Sequence, residues 1–189
     1  MKVVLYIVAF GVIVFYSYRF IQVMIKMKQT PLLPTTNEER KVLRKYPQKP
    51  VTWARYSDQK WGILIYLFML MFMYFIFIIG LFSDDFELTL YMWLFLPLIH
   101  SQSLFNVFAI RTDGIVSGSR FIPWKSMKTY YFNRIDIKHR YYGYSKEVNE
   151  GYELRITTKG YFTNCIVTSS EMKERLTEIL VDHGVKCEK

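Results

Sequence analysis

From Trp61 to Phe82 the chain runs without one charged side chain. A hydrocarbon core of about 30 Å takes about 20 mostly apolar residues of helix, and each charge placed in such a run costs a few kcal/mol. The run reads Trp-Gly-Ile-Leu-Ile-Tyr-Leu-Phe-Met-Leu-Met-Phe-Met-Tyr-Phe-Ile-Phe-Ile-Ile-Gly-Leu-Phe and offers no polar face to water. A helix apolar all round belongs either inside a large protein or in lipid. At this length the run predicts a transmembrane helix.

Hydrophobic residues make up 51% of the 189-residue chain, and they gather in two further blocks, Val3 to Ile25 and Phe86 to about Ile99. The first block carries Arg19 and Gln22 only in its last turns, where a long side chain reaches the headgroups without abolishing the span. Lys2 followed by an apolar stretch resembles a signal peptide. Phe15-Tyr-Ser-Tyr-Arg-Phe-Ile-Gln22 lacks the small-x-small cleavage site, so an uncleaved anchor over residues 1–25 is expected. The third block contains Pro97 and runs into His100-Ser-Gln-Ser103, giving a short span over 86–103 that pairs with 61–82 as a hairpin. Proline frees a carbonyl inside the helix. His100 and Gln102 are therefore candidate intramembrane polar residues, as that carbonyl's partner or in a proton or substrate path. The alternative ends the helix near Gln102, with the cluster at the headgroups.

Charge sets the expected orientation. Residues 26–60 carry Lys26, Lys28, Arg40, Lys41, Arg44, Lys45, Lys49, Arg55 and Lys60 against Glu38, Glu39 and Asp58. Short loops rich in Lys and Arg stay inside, so this loop is cytoplasmic. Ser83-Asp-Asp-Phe-Glu87 has no basic residue and belongs outside. The N-terminus is then outside, and the chain from about Ser103 is cytoplasmic. The net charge of +9 is mostly a topology signal, and no nucleic-acid partner is expected because the charges flank spans instead of forming one dense stripe. Within the loop, Thr36-Asn-Glu-Glu39 fits a capping box, and Arg40 to Tyr46 predicts a short helix stopped by Pro47 and Pro50. Arg40, Lys41, Arg44 and Lys45 could then lie on anionic headgroups, each worth about 1 kcal/mol. The alternative is a solvated charged loop.

From about Phe105 the pattern changes to short alternating or β-branched segments. Strands are expected over Phe105 to Arg111, Gly114 to Ser117, Phe121 to Trp124, Lys128 to Phe132, Ile135 to Tyr142, Tyr152 to Thr158 and Tyr161 to Thr168. Tyr152, Leu154 and Ile156 share one strand face. Thr112-Asp-Gly114 and Lys159-Gly160 predict hairpin turns in which glycine supplies a positive φ. Thr168-Ser-Ser-Glu171 is a second capping-box pattern, opening a helix whose Met172, Leu176, Ile179, Leu180 and His183 recur at helical spacing until Gly184. Residues 104–189 are thus an α+β domain following three transmembrane helices.

Ile110-Arg-Thr-Asp-Gly-Ile115, Phe121-Ile-Pro-Trp-Lys-Ser-Met127 and the helix from Ser170 to Val181 resemble the pleckstrin-homology-like (PH-like) domains of small bacterial membrane proteins. In such families a membrane hairpin commonly runs straight into the first strand. The resemblance implies a partly open antiparallel β-barrel plugged at one end by the C-terminal helix, in a multi-pass protein of a bacterial cell membrane. It brings no ligand residues with it.

Chemistry is sparse. Cys165 and Cys187 form no Cys-x-x-Cys pair, and His100, His139 and His183 lack metal-ligand spacing. No phosphate loop, nucleophile elbow or zinc-protease helix is present. Asp84, Asp85 and Glu87 are expected as solvated turn residues. No cofactor and no enzyme activity are expected. The segment Arg134-Ile-Asp-Ile-Lys-His-Arg-Tyr-Tyr-Gly-Tyr144 is the most suggestive surface. In a strand, Arg134, Asp136, Lys138 and Arg140 would share one face, and with Tyr141 and Tyr142 they could meet lipid phosphates or an acidic partner. The alternative is a solvated strand face. The expected function is a membrane-anchored binding module for a partner protein, a second copy or membrane lipids. Protection against a membrane-active peptide such as a bacteriocin, and an accessory subunit of a transporter, are the alternatives.

Overall fold

The computed structural model describes residues 2–82, 101 and 104–188. The expected span over 86–103, with Pro97, His100 and Gln102, and the acidic turn before it lie outside the described residues.

Two long helices, α1 (Lys2–Met27) and α3 (Tyr56–Phe82), are each long and apolar enough to cross a membrane. In their most apolar stretches only 11% and 22% of the residues are buried within the chain, so most of this apolar surface is left uncovered by the described residues. The helices pack antiparallel. Ala9 and Ile13 meet Met73 and Ile76, the Tyr6 hydroxyl donates to the Gly80 carbonyl at 2.6 Å, and the Tyr56 hydroxyl donates to the Met24 carbonyl at 2.6 Å.

A three-stranded antiparallel sheet, β2 (Phe108–Arg111), β3 (Gly114–Ser117) and β4 (Arg120–Pro123), lies against the adjoining ends of these helices. Val107, Ala109 and Val116, with Phe121, pack on Val23, Met27, Ala54 and Tyr66. Phe108, Ile110, Ile115 and Ile122 face the opposite way, into the main core. A sheet covered on both faces needs apolar residues at successive positions, as Phe108-Ala-Ile110 supplies. At Gly62 an added Cβ would lie 2.9 Å from both the Leu104 carbonyl and the Phe105 ring. Only glycine permits that approach of chain to helix.

The second sheet has five strands in the order β1-β7-β6-β5-β8, where β1 is Leu43–Arg44, β5 Met127–Arg134, β6 Tyr152–Thr158, β7 Phe162–Val167 and β8 Lys186–Cys187. Strand β8 runs parallel to β5, and the other pairs are antiparallel. Its inner face contributes Tyr130, Leu154, Ile156, Cys165 and Val167 to the main core. Short helices α2 (Asn37–Lys41) and α4 (Lys146–Asn149) sit in connections, and α5 (Ser170–Asp182) lays Met172, Leu176 and Leu180 on the same core. Two long apolar helices joined to an α+β unit are the architecture, with α5 spanning almost the residues its periodicity predicts.

Several local expectations change. The segment from Ile135 to Tyr142 is not a strand. Strand β6 begins opposite Arg134, so no partner continues beyond it, and Asp136 accepts from the Lys138 backbone N–H at 3.0 Å to start a series of turns. Strand β2 starts at Phe108, because Asn106 is taken up by Thr52 and Pro50. Trp124 leaves β4 for a 3-10 turn, Trp124–Ser126. The capping box at Thr36 and Glu39 forms, but the helix it opens ends at Lys41, and Leu43–Arg44 pair with β7 instead. At α5 the cap is Ser169, accepting from the Met172 N–H, so Thr168 and Glu171 make no box. Gly160 takes no positive φ; the Thr158 hydroxyl closes that turn by donating to the Tyr161 carbonyl at 2.7 Å.

The basic stretch between the helices is therefore more than a solvated loop. Leu33, Leu43 and Val51 are completely buried in the main core beside Phe108, Leu154 and Leu176. Leu43→Ala is expected to destabilise the folded chain by about 2–5 kcal/mol, the cost of a core cavity, against under about 0.5 kcal/mol at a solvated site. Thermal unfolding of the detergent-solubilised chain measures the difference.

Candidate functional site

The connection between β5 and β6 folds back over the outer face of the five-stranded sheet. Ile135 and Val148 pack on Ile166, with Tyr141 beside them, forming a small apolar cluster separate from the main core. Beneath it lies Glu153, only 4% exposed, on the face of β6 that points away from the core.

Burying a carboxylate costs several kcal/mol unless its oxygens are satisfied. Glu153 receives three donors: Arg140 Nη2 to Oε1 at 2.7 Å, Asn164 Nδ2 to Oε1 at 2.9 Å, and His139 Nε2 to Oε2 at 3.0 Å. The Tyr141 backbone N–H donates to His139 Nδ1 at 3.2 Å, which places the imidazole proton on Nε2, toward Glu153. Burial works to raise the Glu153 pKa, but the hydrogen bonds from Asn164, Arg140 and His139 outweigh it and hold the carboxyl below its ordinary value. The salt bridge acts as a lock: two consecutive residues, His139 and Arg140, are pinned to the sheet by one carboxylate.

What the lock leaves outside is apolar and basic. Ile137 is 80% exposed, Tyr142 and Tyr144 are exposed, and Arg134 and Lys138 extend into solvent near them. The structure thus divides the residues singled out in the sequence. Arg140 and Tyr141 hold the excursion in place, the Tyr141 hydroxyl accepting from Asn164 Nδ2 at 2.8 Å. Arg134, Lys138 and Tyr142 remain available on its surface. Sequence reasoning passed over Glu153 and Asn164, which read as ordinary alternating strand residues and carry no local signal of their pairing.

The basic residues of the first connection go elsewhere. Lys41 is exposed at the end of α2, and Arg40 lies 5.5 Å from the centre of the Trp53 ring. Arg44 donates to the Pro47 carbonyl at 3.1 Å. Lys45 turns inward at the seam between the two sheets. Its ammonium donates to Ser117 Oγ at 3.0 Å, Thr163 Oγ1 at 3.3 Å, and the Asn164 carbonyl and Oδ1 at 3.0 and 3.5 Å. Asn164 joins this lysine to the Glu153 lock. Among the described residues no carboxylate pairs with Lys45, and burial brings its pKa down to about 8. The thiol of neighbouring Cys165 is pushed up to about 12 by burial, which keeps it inert.

Among the described residues no three His, Cys, Asp or Glu side chains come together as metal ligands. A cleft of about 380 Å³ between α2 and α5 holds Glu38, Glu171 and the ion pair of Arg175 with Glu39, without a nucleophile and base in contact. A second, of about 430 Å³, lies along α5 beside Tyr152 and Lys173.

The lysine makes a pH prediction. Between about 8 and the ordinary value of 10.5 the unfolded chain still binds a proton that the folded chain has released, so folding stability rises with pH across that window. The gain is up to about 3 kcal/mol and is absent in Lys45→Met. The melting temperature of the wild-type chain should rise relative to that of Lys45→Met as pH goes from about 8 to 10.5; parallel slopes would remove the buried ammonium from the seam. Glu153 acts at the other end: its contribution is present above 4.5 and lost as pH falls below that value.

No protein-family model, no curated protein and no solved structure matches this chain.

Proposed function

We propose that this chain is a non-enzymatic multi-pass protein of a bacterial cell membrane, whose sheet domain is a PH-like module held at the cytoplasmic face to bind a partner protein. The observation that carries the reading is the locked excursion, which fixes Ile137, Tyr142 and Tyr144 with Arg134 and Lys138 on an exterior surface. Tyrosine and arginine beside exposed aliphatic surface are the composition of protein-binding hot spots. Ordering the excursion before binding lowers the entropy lost on association.

The shared core supports this topology. Leu33, Leu43 and Val51 pack with residues of the C-terminal strands, so the connection between the long helices and the sheet domain stand on the same side of any membrane that α1 and α3 cross. The basic charge of that connection supports the cytoplasmic side. Helix α3 leads away from the domain for 27 residues, yet Leu104 is back beside Gly62 near its start. That return favours a third crossing between Phe82 and Leu104. The transporter reading depends on Pro97 and His100, outside the described residues, and no described contact favours the bacteriocin reading.

A photoreactive residue placed at Ile137 in the full-length protein, in its native membrane, should give a discrete protein adduct. Ile137→Asp with Tyr142→Ala should abolish capture from a probe at Tyr144, whereas Lys41→Ala should not. Adducts to lipid alone, or a protein adduct indifferent to the double variant, would refute the assignment of this surface.

A further inference from the structure

The end of the domain opposite Trp124 and α5 carries a set of cations with no anion to meet them. Arg19 on α1, Arg120 on β4, Arg155 on β6 and Lys159 in the β6–β7 turn form no ion pair among the described residues. Three of the four lie over aromatic rings: Arg19 is 5.3 Å from the Phe15 centroid, Arg120 4.8 Å from Tyr161 and Arg155 3.7 Å from Phe162. Tyr161 and Phe162 are 38% and 48% exposed. The turn carrying them is closed by Thr158, whose hydroxyl donates to the Tyr161 carbonyl and accepts from its N–H, so both rings are presented on a short, tied hairpin.

The height of this end along the helices is fixed by packing. The three-stranded sheet covers α1 from Tyr16 to Met27 and α3 around Tyr66, and Arg120 is the first residue of the strand that packs on α1. Burial, and then the positive charge of Arg19, hold the Arg120 guanidinium below its ordinary pKa, which places the two cations in each other's field. Arg120 also keeps a buried Nε–H without a partner. Away from the sheet, the described residues leave most of the apolar surface of the two helices uncovered, and Trp61 is 68% exposed. Aromatic rings and arginines at the edge of an apolar band are the composition of a membrane interface, and guanidinium groups take phosphate oxygens in paired hydrogen bonds.

We infer that the tip of the β6–β7 hairpin, with Arg19, Arg120, Arg155 and Lys159, forms a collar seated in the headgroup layer that binds the phosphates of anionic lipids. This rests on the reading of α1 and α3 as membrane spans, and it assigns lipid recognition to a different surface from the protein-binding excursion.

The test uses the full chain in nanodiscs of phosphatidylcholine containing phosphatidylglycerol. A fluorophore is attached at Gly160→Cys, where an added side chain meets open space, in a Cys187→Ser background, with Cys165 buried and unreactive, and parallel labels at Trp61→Cys and Lys125→Cys. Nitroxide is carried on the headgroup of one lipid at a time. Labels at 61 and 160 should be quenched and the label at 125 spared. At 160, quenching by phosphatidylglycerol should exceed that by phosphatidylcholine about fivefold for one engaged cation, the equivalent of about 1 kcal/mol. The preference should disappear in Arg120→Gln with Arg155→Gln and persist in the two arginine-to-lysine variants, which keep the charge if the glutamine variants fail to fold. Quenching at 61 without quenching at 160 would overturn the collar and leave the spans standing; no quenching at either would overturn the spans. Equal quenching by the two lipids, or a label at 160 shielded from water without lipid contact, as a protein partner would give, also overturns it.

Discussion

The burial of β2, β3 and β4 on both faces is the constraint from which the rest of the architecture follows. A small sheet with one face on water would need polar residues at alternate positions, and this one has Ala109, Val116 and Phe121 on the side facing α1 and α3. Those helices are thus a third layer of the domain. Tyr66 stacks between Phe20 and Phe105, with ring centroids 4.7 and 6.2 Å away, and so joins α1, α3 and the entry to the sheet at one point. In a domain built in this way the sheet packs directly on the long helices.

The same constraint explains where the buried charge goes. The connection between α1 and α3 has to pass the open edge of β7, and Leu43–Arg44 satisfy that edge with backbone hydrogen bonds. Lys45 then falls at the seam, where Ser117 and Thr163 already share a 2.7 Å hydrogen bond and supply oxygens for the ammonium. An apolar side chain would fill this place at lower desolvation cost. The lysine instead ties both sheets together and reaches the Glu153 lock through Asn164.

Much of the frame was legible in the sequence because it depends on local pattern. The uncharged run at Trp61, the alternation in Tyr152–Thr158 and the spacing of Met172, Leu176 and Leu180 each announce an element through its own periodicity. The excursion from Ile135 was misread for a physical reason: alternation in Ile135-Asp-Ile-Lys-His-Arg140 is the same whether or not a neighbouring strand exists to pair with it. Leu43 and Lys45 were hidden likewise, since a two-residue strand carries no period, and a lysine among other cations looks solvated until the fold turns it inward. Glu153 was invisible because its partners lie at 139, 140 and 164, brought to it by the folded-back turns and by the neighbouring strand β7.

This direct packing bears on how the proposed module would work. Tethering raises effective concentration, but a flexible tether leaves a domain free to present any face. Here the helix register fixes orientation, because rotating the sheet about the helix axes would break the contacts of Val107, Ala109 and Val116 with Val23 and Met27. The collar of Arg19, Arg120 and Tyr161 and the ridge of Ile137 and Tyr142 therefore keep constant positions relative to the long helices. A partner meeting the ridge is held at one distance from the helix ends, so affinity need come only from a small contact in a fixed pose. Any signal passed between ridge and membrane would have to travel through the packed sheet instead of a hinge, and the Lys45–Asn164–Glu153 chain is the polar path that connects the seam of the sheets to the base of the ridge.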